Sequence, residues 1–167
     1  MSELCWCSVS SPIGELTLVA DDDGLRHVLF NGQTLADLGL DAGELPEAPS
    51  DPVLAGAATQ LAQYFAGERT TFELPMHVTG GDFERAVWWS LTTIPHGETI
   101  SYGEQARRIG KPGAAQAVGA ANGRNPLPIV LPCHRVVGSD GSLVGFGGGL
   151  ATKQWLLDHE SGTQRLF

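Results

Sequence analysis

The chain has 167 residues, 42% of them hydrophobic, with 10 basic against 19 acidic side chains. That is enough apolar material for one or two small cores, since domains commonly run about 50–200 residues, and it excludes a mainly disordered chain. No uncharged apolar run approaches the roughly 20 residues that span a bilayer, and MSELCWCSVSS lacks a basic head before an apolar stretch, so a cytoplasmic protein without membrane contact is expected.

The charge is unevenly spread. Residues 1–80 hold two basic residues, Arg26 and Arg69, against twelve acidic ones, whereas residues 81–167 hold eight against seven. This shift predicts two modules, 1–80 and 81–167, and only the first is too acidic to approach a phosphate backbone. Within it, CWCSVS, GELTLVA and LRHVLF are β-prone runs separated by the turn compositions SSPIG and DDDG, which predicts a small antiparallel meander. Residues 34–49 read as an irregular connection. Ser50-Asp51-Pro52 then supplies a cap and a first-turn proline for a helix, with Leu54, Ala58, Leu61 and Phe65 at helical spacing and Gly67 to stop it.

From Asp82 the pattern is mostly helical, with Phe83, Val87 and Leu91 on one face before Pro95-His96-Gly97. Ser101 and Glu104 have the capping-box spacing and open a short helix through Arg108 that stops at Gly110. After Lys111-Pro112, GAAQAVGAAN forms a second short helix ended by Asn122-Gly123. Two short helices joined by a tight Gly/Pro turn fit a helix-turn-helix, and equally a plain helical hairpin. The second helix has almost no side-chain bulk, so another surface can approach it closely. The prolines of NPLPIVLP, 125–132, predict an extended segment delivering Cys133, and Lys153 to Glu160 predicts a last helix stopped near Gly162.

Cys133, His134 and Arg135 follow at once. A thiol reacts as thiolate, which a neighbouring base or cation favours, and His134 and Arg135 are such groups. Neighbours in a strand face opposite ways, so a Cys133–His134 relay needs a turn after Pro132 or a bridging water. The base also needs an acid to orient it, and Glu160 is a candidate. A buried cysteine can equally pack as a small hydrophobe. Cys5, Cys7 and Cys133 are an odd set, unlike a disulfide framework. Cys5, Cys7, His27 and His77 could be imagined around a metal, but no compact ligand spacing supports it, and no metal or other cofactor is expected.

PCHRVV preceded by NPLPIVL, together with SYGE, AVGAANGRNP, GFGGGL and KQWLLDHE, resembles the O6-alkylguanine-DNA alkyltransferase family, also called methylated-DNA–protein-cysteine methyltransferases. The likeness covers residues 82–160 closely, and SPIGELTLVA at 11–20 matches the family's N-terminal domain more loosely. It implies an α+β protein: a small antiparallel β domain of ribonuclease H-like type, then a mostly helical domain with a helix-turn-helix. It implies irreversible, single-turnover transfer of the alkyl group from O6-alkylguanine in double-stranded DNA, with O4-alkylthymine as a second substrate, to Cys133 of a monomer. The damaged base must be flipped out to reach a buried thiol. The resemblance further implies that Glu160 orients His134, that His134 acts through a water on Cys133, and that Asn125 ties the recognition helix to the active-site turn. DNA or substrate contacts are implied at Tyr102, Gln116, Ala117, Arg124, Arg135, Val136, Phe146 and Gly147.

The sequence departs from the family at three places. Gln116 stands where an arginine usually enters the base stack, Phe146 replaces a tyrosine, and Ile100 replaces a basic residue common before SYG. Two other readings are a lesion-binding protein like the family's alkyltransferase-like branch, which replaces the cysteine retained here, and a cysteine hydrolase built on Cys133, His134 and Glu160.

Overall fold

The β-prone runs of the first half pair as an antiparallel meander in the order β1 (Cys5–Val9), β2 (Leu16–Asp21), β3 (Gly24–Leu29). Its register sets Cys7 opposite Leu18 and Val19 opposite His27, with an irregularity after Val19. The DDDG turn closes on the Asp21 carboxylate, whose Oδ1 accepts from the Asp23 and Gly24 amides at 2.8 and 3.1 Å. Both sheet edges are covered, which removes an open template for strand addition. The Trp6 amide donates to the Pro46 carbonyl at 3.1 Å, and the Leu25 amide to the Pro75 carbonyl at 2.8 Å. Gly24, at φ +155°, lies so close to that second strap that a Cβ would stand 2.7 Å from the Pro75 carbonyl.

The computed structural model describes residues 3–162, and the chain divides into two compact units at Val78/Thr79. In the first, helix α1 (Pro52–Phe65) lies against β2 and β3, capped by Asp51, whose carboxylate accepts from the Val53 and Leu54 amides. The buried stripe is Leu54, Ala57, Leu61 and Tyr64. The expected face through Ala58 and Phe65 is thus rotated by one position, because Tyr64 buries its whole ring against Phe65 and Phe72. Within the 34–49 connection, residues Leu35–Leu38 form a single 3-10 turn, and Leu35 joins Val19 and Leu29 in a core cluster.

The second unit opens with α2 (Asp82–Ser90), which continues into a 3-10 turn at Leu91–Thr93. Helices α3 (Tyr102–Arg108) and α4 (Ala115–Gly123) pack on each other and on α2. Ser101 caps α3 by accepting from the Glu104 amide at 3.0 Å, but Glu104 turns its carboxylate to Arg107 and Arg108 rather than back to Ser101. Only half of the expected capping box forms, because two cations compete for that carboxylate. The exit is a Schellman turn, with Gly110 at φ +75° and the Lys111 amide on the Ala106 carbonyl. Buried amides lock the pair of helices: Asn122 donates to Gln105 at 2.7 Å, and the Trp88 indole donates to the Ala121 carbonyl at 2.7 Å.

Two elements position the site. A short parallel ladder, β4 (Ile100–Ser101) with β5 (Val136–Val137), fastens the start of α3 to the chain that leaves Cys133. Helix α5 (Leu150–Ser161) ends in Gly162 at φ +72° and buries Lys153, Leu156 and Glu160. Among the described residues, no helix is long and apolar enough to cross a membrane.

Candidate active site

The segment 125–132 is a chain of turns, not the extended run its prolines suggested. Proline fixes its own φ and disfavours the helical region in its predecessor, but it does not prevent reversal at the residues between. Here the Leu131 amide returns to the Leu127 carbonyl at 2.7 Å, and Ile129 takes φ +76°. A β-branched residue there stores strain on the order of 1–3 kcal/mol, which the fully buried surroundings must hold in place. Asn125 braces the loop from inside. Its side-chain oxygen accepts from the Leu127 amide at 2.9 Å, and its Nδ2 donates to the Leu131 carbonyl at 2.7 Å.

The turn after Pro132 that a Cys133–His134 relay requires is present as a 3-10 turn, Cys133–Arg135, with all three side chains buried. His134 is wholly enclosed, and its Nε2 lies 2.6 Å from Glu160 Oε2. Its Nδ1 is buried with no hydrogen-bond partner among the described residues. Nε2 is thus committed, and Nδ1 is the ring nitrogen free to exchange a proton. Burial depresses the His134 pKa, against the opposing pull of Glu160, and keeps the ring neutral. Burial alone would raise the Glu160 carboxyl, but the hydrogen bonds from His134 and Arg135 outweigh it and hold it well below the usual carboxylate range.

Arg135 is placed differently from the DNA-facing role its position in PCHRVV suggested. It is 6% exposed, its Nε and a terminal nitrogen hold Glu160 at 2.7 and 3.0 Å, and its other terminal nitrogen donates to the Ile94 carbonyl at 2.6 Å. The guanidinium therefore keeps Glu160 ionised instead of sitting on the thiol.

The cation that does act on Cys133 is Lys153. It is fully buried, donates to the Val144 carbonyl at 3.1 Å, and lies 5.8 Å from the Tyr102 ring centre. Burial pushes the Cys133 thiol up, with Asn125 and the Lys153 charge opposing; burial in turn lowers Lys153, with Cys133 opposing. The resting group is a thiol that needs a base. Sequence reasoning missed Lys153, although a signal was there: Lys153, Leu156 and Glu160 fall at i, i+3 and i+7, so both charges lie on the apolar stripe of α5.

Tyr102 begins α3 half-buried, its hydroxyl directed at the Val144 carbonyl at 3.4 Å and its phenol raised by burial and then by Cys133. Its ring lies 3.6 Å from where a Cβ on Gly119 would be, so α4 is slim there to admit it. Gln116 and Ala117 are exposed on α4, and Arg124, just past its end, pairs with Glu84 at 2.6 Å. Val136 is buried in β5, Phe146 is half-buried, and Gly147 is exposed in the segment before α5.

The imagined metal set does not assemble. Cys5 and Cys7 lie on β1 and His27 on β3, while His77 Nδ1 meets Asp21 Oδ2 at 2.7 Å, an oxygen that also takes Arg26 at 3.1 Å. Among the described residues the group with metal-ligand spacing is Asp21, Asp23 and His77, and its most buried carboxylate is already shared by two side chains.

The second unit joins a helix-turn-helix to a buried cysteine, a neutral histidine and an ionised glutamate, and this fold and site define a protein with a cysteine nucleophile. Residues 82–162 match the family model for the 6-O-methylguanine DNA methyltransferase DNA-binding domain, and residues 4–78 match the ribonuclease-like domain of the same proteins. The chain belongs to the 6-O-methylguanine DNA methyltransferase family. It is 51% identical over 150 residues to a methylated-DNA–protein-cysteine methyltransferase of Mycolicibacterium paratuberculosis, covering 90% of this chain and 88% of the relative. The crystal structure of Mycobacterium tuberculosis O6-methylguanine methyltransferase is similar at TM-score 0.85 and 43% identity, covering 98% of this chain and 96% of that one. The Mycobacterium tuberculosis protein in complex with DNA matches at TM-score 0.83 and 45% identity, over 94% and 92% of the two chains.

Proposed function

We propose that this protein repairs DNA by moving the alkyl group of O6-alkylguanine to Cys133 Sγ, once per molecule and without regeneration. The observation that carries the reading is the buried Cys133–Arg135 turn, in which His134 Nε2 is bound to an ionised Glu160 and Nδ1 is left as the only base position.

The chemistry follows from those states. Glu160 accepts a hydrogen bond from the Nε2–H of neutral His134, which fixes the tautomer with a lone pair on Nδ1. His134 takes the thiol proton at Nδ1, directly or through water, and the imidazolium formed is stabilised by the Glu160 charge. The thiolate, opposite the buried Lys153 cation, attacks the alkyl carbon; the S–C bond forms as the O6–C bond breaks. The electron pair leaves on guanine O6, and a proton returned to the base restores neutral guanine. Cys133 is left as a thioether, which has no leaving path to water.

An O6 atom inside a stacked, paired duplex cannot be reached in line by Sγ, so the base is extruded, at a cost of a few kcal/mol that a mispaired lesion lowers. α4 presents Gln116 and Ala117 to the duplex, its small residues permitting close approach, while Tyr102, Val136, Phe146 and Gly147 border the flipped base. O4-alkylthymine presents the same alkyl–oxygen bond on a smaller base and is a second substrate. The protein acts as a monomer.

Titrating the protein with excess O6-methylguanine duplex and counting restored guanines tests this: a plateau at one per molecule is expected. Continued turnover would favour a hydrolase, and binding without restored guanine would favour a lesion-binding role.

A further inference from the structure

All five described arginines of the second unit are held by carboxylates of that unit: Arg85 by Asp82, Arg107 and Arg108 by Glu104, Arg124 by Glu84, and Arg135 by Glu160. Three of these pairs follow from helical i,i+3 or i,i+4 spacing, and the Arg135 pair is buried in the active site. The Arg124 pair is different. It joins exposed side chains 40 positions apart, tying the first turn of α2 to the residue after α4, with Arg124 Nε 2.6 Å from Glu84 Oε2.

We propose that Glu84 is an intramolecular stand-in for a DNA phosphate, occupying Arg124 until the duplex displaces it. The inference rests on the reading of α4 as the helix that meets DNA. Along that helix Gln116, Ala117, Ala120 and Gly123 are exposed and uncharged, so Arg124 is the cation that the helix itself brings to a phosphate. Its side chain is 58% exposed, against 26% for Glu84. An exposed ion pair is weak, and a released Glu84 is rehydrated at little cost. A phosphate offers a charge-assisted, bidentate partner and releases counterions as well. Exchange therefore runs toward DNA, but less steeply than for a free arginine.

The position gives the exchange a consequence for repair. Arg124 is followed directly by Asn125, which braces the turn leading to Cys133. A phosphate gripped at Arg124 thus sets the register between the duplex backbone and the active-site turn. Glu84 tempers that grip on undamaged DNA, where the protein must let go and move on.

The test is a double-mutant cycle on the full chain with a short undamaged duplex, read by fluorescence anisotropy over a range of KCl. Glu84→Gln keeps the acceptor that receives the Gly81 amide and removes the charge. It should bind about two- to five-fold tighter at low salt. The gain should shrink as salt rises, and it should be smaller in an Arg124→Gln background. An equal gain in both backgrounds would show that Glu84 merely repels the duplex, and no gain at all would show that Arg124 does not face it; either overturns the proposal. Reaction with free O6-benzylguanine is followed alongside. Wild-type protein that takes up no benzyl group overturns the transfer reading and this inference with it, whereas normal uptake without Glu84–Arg124 coupling overturns the inference alone.

Discussion

Glu160→Gln removes one charge and almost no volume, and it bears on both the fold and the chemistry. In the wild type the Glu160 carboxylate accepts from His134 Nε2 at 2.6 Å and from two Arg135 nitrogens at 2.7 and 3.0 Å, with its side chain 1% exposed. The amide can keep one Arg135 bond through its oxygen. Its NH2 then faces either the second Arg135 nitrogen or His134, a donor where an acceptor is needed. Removing one partner of a buried ion pair costs about 3–5 kcal/mol, and the retained bond places this change near the lower figure. For a chain of this length that is a fall in Tm of about 6–12 °C. When the amide donates to His134 Nε2, the ring must carry its proton on Nδ1 instead, and the base position is blocked. A positioned base contributes about 10²–10⁴-fold, so single-turnover transfer from an O6-methylguanine duplex should slow by at least about 100-fold. Rates are measured well below the variant's Tm, with folding checked by circular dichroism. A folded Glu160→Gln protein that transfers within about three-fold of wild type would refute the relay and leave Glu160 a purely structural residue.

Four further outcomes are expected. Cys133→Ser should abolish alkyl transfer, while a Cys5→Ser/Cys7→Ala double variant should retain it in the same gel-based assay, since burial pushes the Cys7 thiol up to about 11, and burial and then the neighbouring Asp51 carboxylate push the Cys5 thiol up as well. Lys153→Met should leave the protein folded by circular dichroism but move thiol alkylation by iodoacetamide to higher pH and slow transfer by about ten-fold or more, because the thiolate loses its nearby cation. Gln116→Arg should speed transfer from duplex DNA and leave reaction with free O6-benzylguanine unchanged, because a planar cation fills the vacated stack better and the free base needs no extrusion. In acid, two groups act in the same direction: the unfolded chain protonates His134 below about pH 6.5 while the folded one resists, and the Glu160 contribution is fully present above about pH 4.5 and lost below it. Urea unfolding should therefore show stability falling from about pH 6.5 downward, with the part below pH 4.5 weakened in Glu160→Gln.

Local chemistry made much of this legible. The meander, the Asp51-Pro52 helix start, the Ser101 cap and the stop at Gly110 each rest on two or three adjacent residues, and each lies where the sequence places it. The partnership of His134 with Glu160 was legible through the resemblance to relatives, because nothing local links residues 26 positions apart. Three features needed the tertiary structure. The turns of 125–131 depend on the positive φ of Ile129 and on the Asn125 brace, neither of which a proline count reveals. The parallel ladder of β4 and β5 has two residues in each strand, too short for any periodicity. Arg135 and Lys153 carry the same charge in the same buried region, and only burial and partners show that Arg135 serves Glu160 while the Lys153 charge opposes the upward push of burial on the Cys133 thiol.

The central claim is that Cys133 Sγ itself receives the alkyl group and keeps it. Intact-mass measurement after incubation with a molar excess of O6-methylguanine duplex, followed by peptide mapping, tests it most directly. The account predicts a gain of one methyl group per molecule, located on Cys133 and stable on prolonged incubation. An unmodified protein beside repaired DNA, or a methyl group found on any other residue, would contradict it.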